Sequence, residues 1–78
     1  MYRILVVEDD EVIAKTIRQH LQSWNYEVFA VAVFNSVMEE FARVKPHLVL
    51  MDIRLPFHNG FYWCTEIRKI SRVPVLFL

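Results

Sequence analysis

The sequence predicts an α/β fold in which a mainly parallel β-sheet carries helices on both of its faces. Four short apolar runs, rich in Val, Ile and Leu, alternate along the chain with three segments whose apolar residues recur every three or four positions. The order β-α-β-α-β-α-β requires right-handed crossovers between parallel strands, and these crossovers place the helices on the two faces. No repeat, low-complexity tract or linker interrupts the alternation, so the sequence indicates one α/β unit.

The first half of the chain is predicted to contain two strands and one helix. Residues 3 to 7 form an apolar run that ends in acids, which is typical of a short buried strand. Asp9 or Asp10 can cap the helix that follows, because negative charge is favoured at a helix N-terminus. The residues expected to form the inner stripe of this helix are Ile13, Ile17, Leu21 and Trp24. The second strand is expected over residues 26 to 31, at a sheet edge because Glu27 interrupts it.

The second half is predicted to contain two further helices and two further strands. Ser36 and Glu39 have the spacing of a capping box, so the second helix is expected to begin there and to stop at Lys45-Pro46. The residues expected to face the core are Val37, Phe41 and Val44 in this helix, and Trp63, Ile67 and Ile70 in the third helix. The third strand is expected over 47–52, the third helix from Asn59-Gly60 to Ser71-Arg72, and the fourth strand over 73–78.

Composition limits the class of protein. The chain has 78 residues, which is one domain, and 55% of them are hydrophobic. The formal net charge is zero, so no global field draws the chain to nucleic acid or anionic lipid. The single Cys64 excludes an internal disulfide and suits a reducing compartment. No apolar run is long enough to span a membrane and no signal peptide is recognisable, so we expect a soluble, cytoplasmic protein without membrane partners.

Acids follow two of the apolar runs, at the point where each predicted strand ends. Glu8, Asp9 and Asp10 follow the first run, and Asp52 follows the third. Neighbouring parallel strands lie about 4.8 Å apart, so their terminal acids are expected to converge at one sheet edge. Such carboxylates repel one another unless a cation neutralises them, and Mg²⁺ is the first candidate. Helix capping or simple exposure of these acids is the alternative, and one acid can cap while another binds metal.

With these acids placed, the sequence resembles the receiver domain of two-component response regulators (CheY-like), especially the winged-helix (OmpR/PhoB-type) subfamily. The matching segments, in order along the whole chain, are Ile4-Leu5-Val6-Val7-Glu8-Asp9-Asp10, Leu48-Val49-Leu50-Met51-Asp52, Leu55-Pro56, Asn59-Gly60 and Val73-Pro74-Val75. The run Gly60-Phe61-Tyr62-Trp63-Cys64 also resembles regulators that sense attack on the cell envelope by antimicrobial peptides.

The resemblance implies a flavodoxin-like fold and a function in phosphorylation-controlled signalling. Asp52 would accept a phosphoryl group from a histidine kinase. Asp9 and Asp52 would bind Mg²⁺ directly, Glu8 would reach it through water, and the backbone carbonyl of Arg54 would complete the protein ligands. Pro56 and Gly60 would shape the adjoining loop. The chain would act as a signalling module and not as an enzyme with a diffusible product.

Departures from the family pattern indicate a receiver shortened after its fourth strand. Residues 1–78 would be its N-terminal part, with sheet order 2-1-3-4 and without the fifth strand and the last two helices. A Ser or Thr expected at position 79 and a later Lys, both phosphate-binding in the family, lie outside these residues, so we expect weak or no phosphorylation of the 78-residue chain. DNA would be bound only through a C-terminal domain that is absent here. The exposed edge of the fourth strand is expected to promote self-association.

Three other functions are alternatives to phosphorylation-controlled signalling. A phosphohydrolase of the haloacid dehalogenase type needs a second acid two residues after Asp52, where this chain has Arg54. A Rossmann-like nucleotide site needs a Gly-rich motif after the first strand, which is absent. A non-phosphorylated or pseudo-receiver interaction fragment stays open. The remaining candidate ligands, at no metal-binding spacing, are His20, His47, His58 and Cys64, and they are expected to pack or to be solvated.

Overall fold

A computed structural model describes residues 1–78 and contains four strands and three helices. The strands are β1 (Arg3–Val7), β2 (Glu27–Ala30), β3 (Leu48–Met51) and β4 (Val75–Phe77). The helices are α1 (Glu11–Ser23), α2 (Val37–Val44) and α3 (Gly60–Arg68). All strand pairs are parallel, and the order across the sheet is β2-β1-β3-β4. The predicted α/β class, the order 2-1-3-4 and the edge position of the second strand are therefore confirmed.

The core consists of two clusters, one on each face of the sheet. The larger cluster joins the sheet to α2 and α3 and contains Leu5, Val7, Val31, Val37, Phe41, Val44, Val49, Met51, Trp63 and Ile67. The smaller cluster contains Ile4, Val6 and Val28, against which Ile17 and Leu21 of α1 pack. Because successive side chains of a strand point to opposite faces, β1 supplies both clusters. This two-sided burial explains why β1 reads as an unbroken apolar run.

The buried stripe of α1 differs from the predicted one. Ala14 is the buried residue of this helix, with Ile17 and Leu21 half-buried on the same side. Ile13 is exposed, and Trp24, which is 64% exposed, lies beyond the last residue of the helix. The spacing of Ala14, Ile17 and Leu21 fits a helical face equally well, so the prediction was wrong about which apolar residues lie at its centre.

The helix caps agree only partly with the predicted ones. Asp10 caps α1, because its Oδ1 accepts hydrogen bonds from the N–H groups of Val12 and Ile13. Ser36 occupies the N-cap of α2 but makes no side-chain cap hydrogen bond, so the predicted capping box is wrong. Its hydroxyl instead donates to Oδ1 of Asn35 at 3.3 Å. A capping box needs a backbone geometry that Ser–x–x–Glu spacing does not guarantee.

The end of α3 also differs from the prediction. The helix stops at Arg68, and Ile70, which is 67% exposed, lies in the turn that follows instead of facing the core. A hydrogen bond from the N–H of Ser71 to the carbonyl of Ile67 closes this turn. The guanidinium of Arg68 donates to the carbonyl of Val73 at 2.7 Å, which holds the chain as it turns toward β4. The helix is thus shorter than the pattern of apolar residues suggests.

The fourth strand leaves one long side of the sheet open. β4 pairs with β3 on one side only, and Leu76, Phe77 and Leu78 are exposed. On the α1 face, β4 and β3 are covered only in part, because α1 packs mainly over β1 and β2. None of the three helices has the length and apolar character that crossing a bilayer requires.

The N-caps of α2 and α3 predict different mutational costs. Asn59 caps α3, since its Oδ1 accepts from the N–H of Tyr62 at 2.9 Å, whereas Ser36 makes no such bond. We expect Asn59→Ala to lower the free energy of unfolding by about 1 kcal/mol, and Ser36→Ala to change it by less than about 0.5 kcal/mol. Urea denaturation of the two variants and the parent chain measures this difference. Equal losses in the two variants would contradict the cap assignment.

Candidate functional site

Two acidic residues follow neighbouring strands at the carboxyl edge of the sheet. β1 and β3 pair with Val7 opposite Met51. The residues that follow these two strands, Glu8 and Asp52, are therefore neighbours as well. The N–H of Asp52 donates to the carbonyl of Val7 at 2.8 Å, which holds the two strand ends together one residue beyond β3. In open parallel sheets this edge is where ligands bind.

Three carboxylates meet at this edge. One side-chain oxygen from each of Glu8, Asp9 and Asp52 lies within 4.8 Å of the other two. Glu8 is buried, Asp52 is half-buried and Asp9 is exposed, so the cluster extends from the top of the core to the surface. Asp10 is not a member, because its carboxylate caps α1. The structure therefore brings together the three side chains that were expected to share a cation and separates the fourth acid from them.

The position of Glu8 beside Asp52 and in the core changes the pKa of its side chain. Its side chain is only 8% exposed, and burial raises the pKa of Glu8 above its ordinary value. The nearby carboxylate of Asp52 raises this pKa further by repulsion between like charges. The N–H of Asp10 donates to Oε2 of Glu8 at 3.1 Å and lowers the pKa, but it does not cancel the other two effects. A cation placed among the three acids would favour their ionised forms.

The cluster fits Mg²⁺ in both donor type and spacing. Mg²⁺ prefers carboxylate, carbonyl and water oxygens at about 2.0–2.1 Å, so two of its ligands lie at most about 4.2 Å apart. The three oxygens, all within 4.8 Å of one another, need only small side-chain rotations or one bridging water to reach that distance. No His or Cys belongs to the cluster, so the softer ligands that select zinc or copper are missing from it.

The loop from Ile53 to Asn59 returns to the site and starts α3 directly against it. The N–H of Gly60 donates to the carbonyl of Ile53 at 2.8 Å, which closes the base of the loop. A Cβ on Gly60 would lie 2.2 Å from the backbone oxygen of Asp52 and 2.9 Å from Cγ of Met51. Only glycine fits at this position, so Gly60 does help to shape the site, by close approach and not by an unusual φ.

The other predicted candidates do not belong to the acidic cluster. Arg54 is exposed two residues after Asp52, and ligation through its backbone carbonyl stays a prediction. His47 lies at the opposite end of the sheet, where its Nδ1 accepts a hydrogen bond from the N–H of Arg3 at 2.9 Å. His58 stacks on Tyr62 with ring centroids 3.8 Å apart. None of the histidines belongs to the acidic cluster, as expected from their spacing.

A cleft beside the acids contains two basic residues of α1 that were not among the predicted site residues. It has a volume of about 370 Å³ and lies between α1 and the carboxyl end of β2. Glu8 and Asp9 line it together with Lys15 and Arg18. The spacing of Lys15 and Arg18 places them on one face of α1, but only the packing of α1 beside β2 shows that this face borders the site.

These features define a class of protein: a parallel α/β protein with a cluster of carboxylates at the carboxyl edge of its sheet. A sequence profile of the response regulator receiver domain matches residues 4–78. The chain therefore belongs to the response regulator receiver domain family.

Two curated relatives from Bacillus subtilis are similar over the whole chain. One is named the uncharacterized transcriptional regulatory protein YvcP and is 55% identical over 78 residues. The other, the sensory transduction protein BceR, is 44% identical over 78 residues. The chain covers 33% of YvcP and 34% of BceR, so it spans about a third of the length of these relatives.

Solved structures of receiver domains have the same architecture. The N-terminal domain of the nisin resistance regulator NsrR superposes with a TM-score of 0.91 at 42% identity, over 99% of this chain and 65% of that one. The response regulator TrrA of Thermotoga maritima, in a complex with the histidine kinase ThkA, gives a TM-score of 0.89 at 29% identity. That match covers 99% of this chain and 67% of TrrA.

The raised pKa of Glu8 predicts how Glu8→Gln changes stability. In the folded chain the pKa of Glu8 lies above its unfolded value, so ionising Glu8 costs stability as the pH rises through the folded pKa. Without Mg²⁺ at pH 7.5, we therefore expect Glu8→Gln to unfold at a higher temperature than the parent chain. The advantage should vanish below the unfolded pKa, where both side chains are neutral. With saturating Mg²⁺, the variant should gain less stability than the parent.

Thermal unfolding followed by circular dichroism, at pH 3.5 and 7.5 and with or without Mg²⁺, measures these changes. The matched control is Glu27→Gln, the same substitution at an exposed position near the opposite end of the sheet. The control should unfold like the parent chain under every condition. If Mg²⁺ stabilises the parent chain and Glu8→Gln equally, Glu8 does not share a cation with Asp9 and Asp52.

Proposed function

We propose that this chain is the phosphoacceptor part of a two-component response regulator, and that a histidine kinase phosphorylates it on Asp52 in the presence of Mg²⁺. The observation that carries this proposal is the convergence of Glu8, Asp9 and Asp52 within 4.8 Å at the carboxyl edge of a parallel sheet. Membership of the receiver family supplies the reaction class, and the cluster supplies a nucleophile with acids beside it.

Asp52 and the residues around it have different roles in the proposed reaction. An oxygen of Asp52 attacks the phosphorus atom in line, the P–N bond to the donor histidine breaks, and the imidazole leaves with the bonding electron pair. Asp9 and Asp52 would bind Mg²⁺ directly, Glu8 would act through water, and the carbonyl of Arg54 would be the further protein ligand. When bound, the cation would neutralise the charges of the acids and the incoming phosphoryl group. Asp52 is half-buried, so the donor can reach it from solvent.

Relatives support the partners in this proposal. A receiver with the same fold, TrrA, forms a complex with a histidine kinase. YvcP is named a transcriptional regulatory protein, so control of a DNA-binding output domain, absent from these residues, is the expected readout in the cytoplasm. The similarity to NsrR, which is described as a lantibiotic response regulator and nisin resistance regulator, supports a signal that arises from antimicrobial peptides. The chain itself is a signalling module and not an enzyme that turns over a diffusible substrate.

A second candidate is a non-phosphorylated interaction fragment. The Ser or Thr and the Lys that hold the phosphoryl group in the family are expected outside residues 1–78. The expected yield of phosphorylation for the 78-residue chain is therefore low. If this candidate is correct, Mg²⁺ still binds the acids but Asp52 never gains a phosphoryl group.

Phosphorylation is tested with acetyl phosphate and Mg²⁺. Intact-mass measurement should show a small fraction of the chain with one added phosphoryl group, and Asp52→Asn should abolish it because an amide is not a nucleophile for phosphorus. Asp10→Asn is the matched control and should keep the modification, since Asp10 caps α1 outside the cluster. Modification at another residue would contradict the proposal. Steady hydrolysis of a phosphomonoester would instead indicate a phosphohydrolase.

We also propose that the free edge of β4 allows self-association. In a parallel strand, alternate residues direct their N–H and C=O groups to opposite sides. The N–H of Leu78 donates to Met51 and the carbonyl of Pro74 accepts from Val49, so the backbone groups of Val75 and Phe77 point away from β3. Exposed strand edges with apolar side chains pair readily with a second chain. Two antiparallel copies of β4 would satisfy these groups.

Size-exclusion chromatography with light scattering tests the association. At high micromolar concentration we expect the mass of a dimer or larger species, and Leu76→Lys should shift the chain toward monomer because charges block edge pairing. Leu76 is 55% exposed, so this change leaves the core intact. Val33→Lys, at an exposed residue outside the strands, is the control and should associate like the parent. A well-folded monomeric parent chain would rule out self-association.

A further inference from the structure

The loop beside Asp52 contains a strained turn with an aromatic residue at its centre. The N–H of His58 donates to the carbonyl of Pro56 at 2.9 Å, which closes a three-residue γ-turn. Phe57, the central residue, has a φ of 70°, a conformation that favours glycine and is unfavourable for a bulky residue. Its side chain is 72% exposed. Phe57 thus combines backbone strain with an apolar ring in water, and neither feature stabilises the folded chain.

The residues around Phe57 fix the turn in place. Asn59 caps α3 directly after the turn, and the His58 ring stacks on Tyr62 at a centroid distance of 3.8 Å and an interplanar angle of 15°. His58 also contacts the edge of the buried Trp63, with centroids 5.5 Å apart. These contacts attach both His58 and the start of α3 to the core. The ring of Phe57 projects from a loop whose following residues are attached to the core.

The position of the turn relates it to the acidic site. Gly60 lies against the backbone of Asp52 and closes the loop through its bond to Ile53. Phe57 is three residues before Gly60, so their Cα atoms are at most about 11 Å apart even for an extended chain. A protein that presents a phosphohistidine to Asp52 must lay its surface over this edge, which brings the turn within reach of the contact. A small phosphodonor such as acetyl phosphate has no such contact.

We propose that Phe57 is an anchor by which the chain binds the protein that donates its phosphoryl group. The inference rests on the proposed function, because it assigns a partner contact to the same site. An exposed aromatic ring on a rigid backbone loses little conformational entropy when it enters an apolar pocket, and such residues contribute strongly to protein interfaces. Strain of this kind persists where function requires it. The partner surface is therefore an apolar pocket next to the donor histidine of a histidine kinase.

Site-specific photocrosslinking tests this contact in the cells that make the protein. p-Benzoylphenylalanine is placed at position 57, and at position 70 as the control, because Ile70 is equally exposed at the far end of α3. We expect illumination to capture a histidine kinase, identified by mass spectrometry, with a yield from position 57 at least about tenfold higher than from position 70. Capture of a second copy, of another class of protein or of nothing at position 57 would overturn the proposal.

Two substitutions then measure the contribution of the ring. Phe57→Gly removes the side chain and suits a φ of 70°, so the variant should fold at least as stably as the parent chain. Its affinity for the captured kinase should fall about tenfold or more, and Phe57→Tyr should largely restore it. Unchanged affinity of Phe57→Gly would overturn the anchor. Phosphorylation by acetyl phosphate separates the anchor from the proposed function. If acetyl phosphate modifies Asp52 equally in the parent chain and in Phe57→Gly, the proposed function stands whatever the result for the anchor. If neither acetyl phosphate nor the captured kinase modifies Asp52, the proposed function is wrong.

Discussion

The parallel pairing of β1 with β3 is the constraint on which the site depends. Both strands are apolar on both faces, so burial alone does not select one register between them. Polar bonds at the two ends do: the N–H of Arg3 donates to Nδ1 of His47, the N–H of His47 donates to the carbonyl of Arg3, and the N–H of Asp52 donates to the carbonyl of Val7. A shift of one residue would break these bonds and separate Asp52 from Glu8.

Close packing around Gly60 sets the position of the loop from Ile53 to Asn59 relative to the paired strands. Because the first residue of α3 touches the carbonyl of Asp52, the loop has no freedom to move away from the acids while α3 stays docked. Trp63 and Ile67 hold α3 in the larger core cluster, so the position of the loop is set by side chains that are remote from the chemistry. Seven residues can then form the rim of the site without secondary structure of their own.

The sequence predicted what local pattern determines and missed what packing determines. The strands and the meeting of Glu8 with Asp52 follow from apolar runs that end in acids, a signal contained within a few residues. The exposure of Trp24 and Ile70 could not be predicted this way, because each lies just past a helix end that tertiary contacts set. The positive φ of Phe57 opposes the preference of its residue type, so no propensity would have suggested it.

Two unfavourable features lie at one edge of a sheet whose interior is almost wholly apolar. The repulsion expressed in the raised pKa of Glu8 and the strain at Phe57 both lie beyond the carboxyl ends of β1 and β3, while the buried residues of those strands supply the stability that offsets them. Any ligand that relieves this repulsion binds the folded state and not the unfolded one, and so adds to its stability by mass action. Cation binding at this edge would therefore be coupled to folding through Glu8.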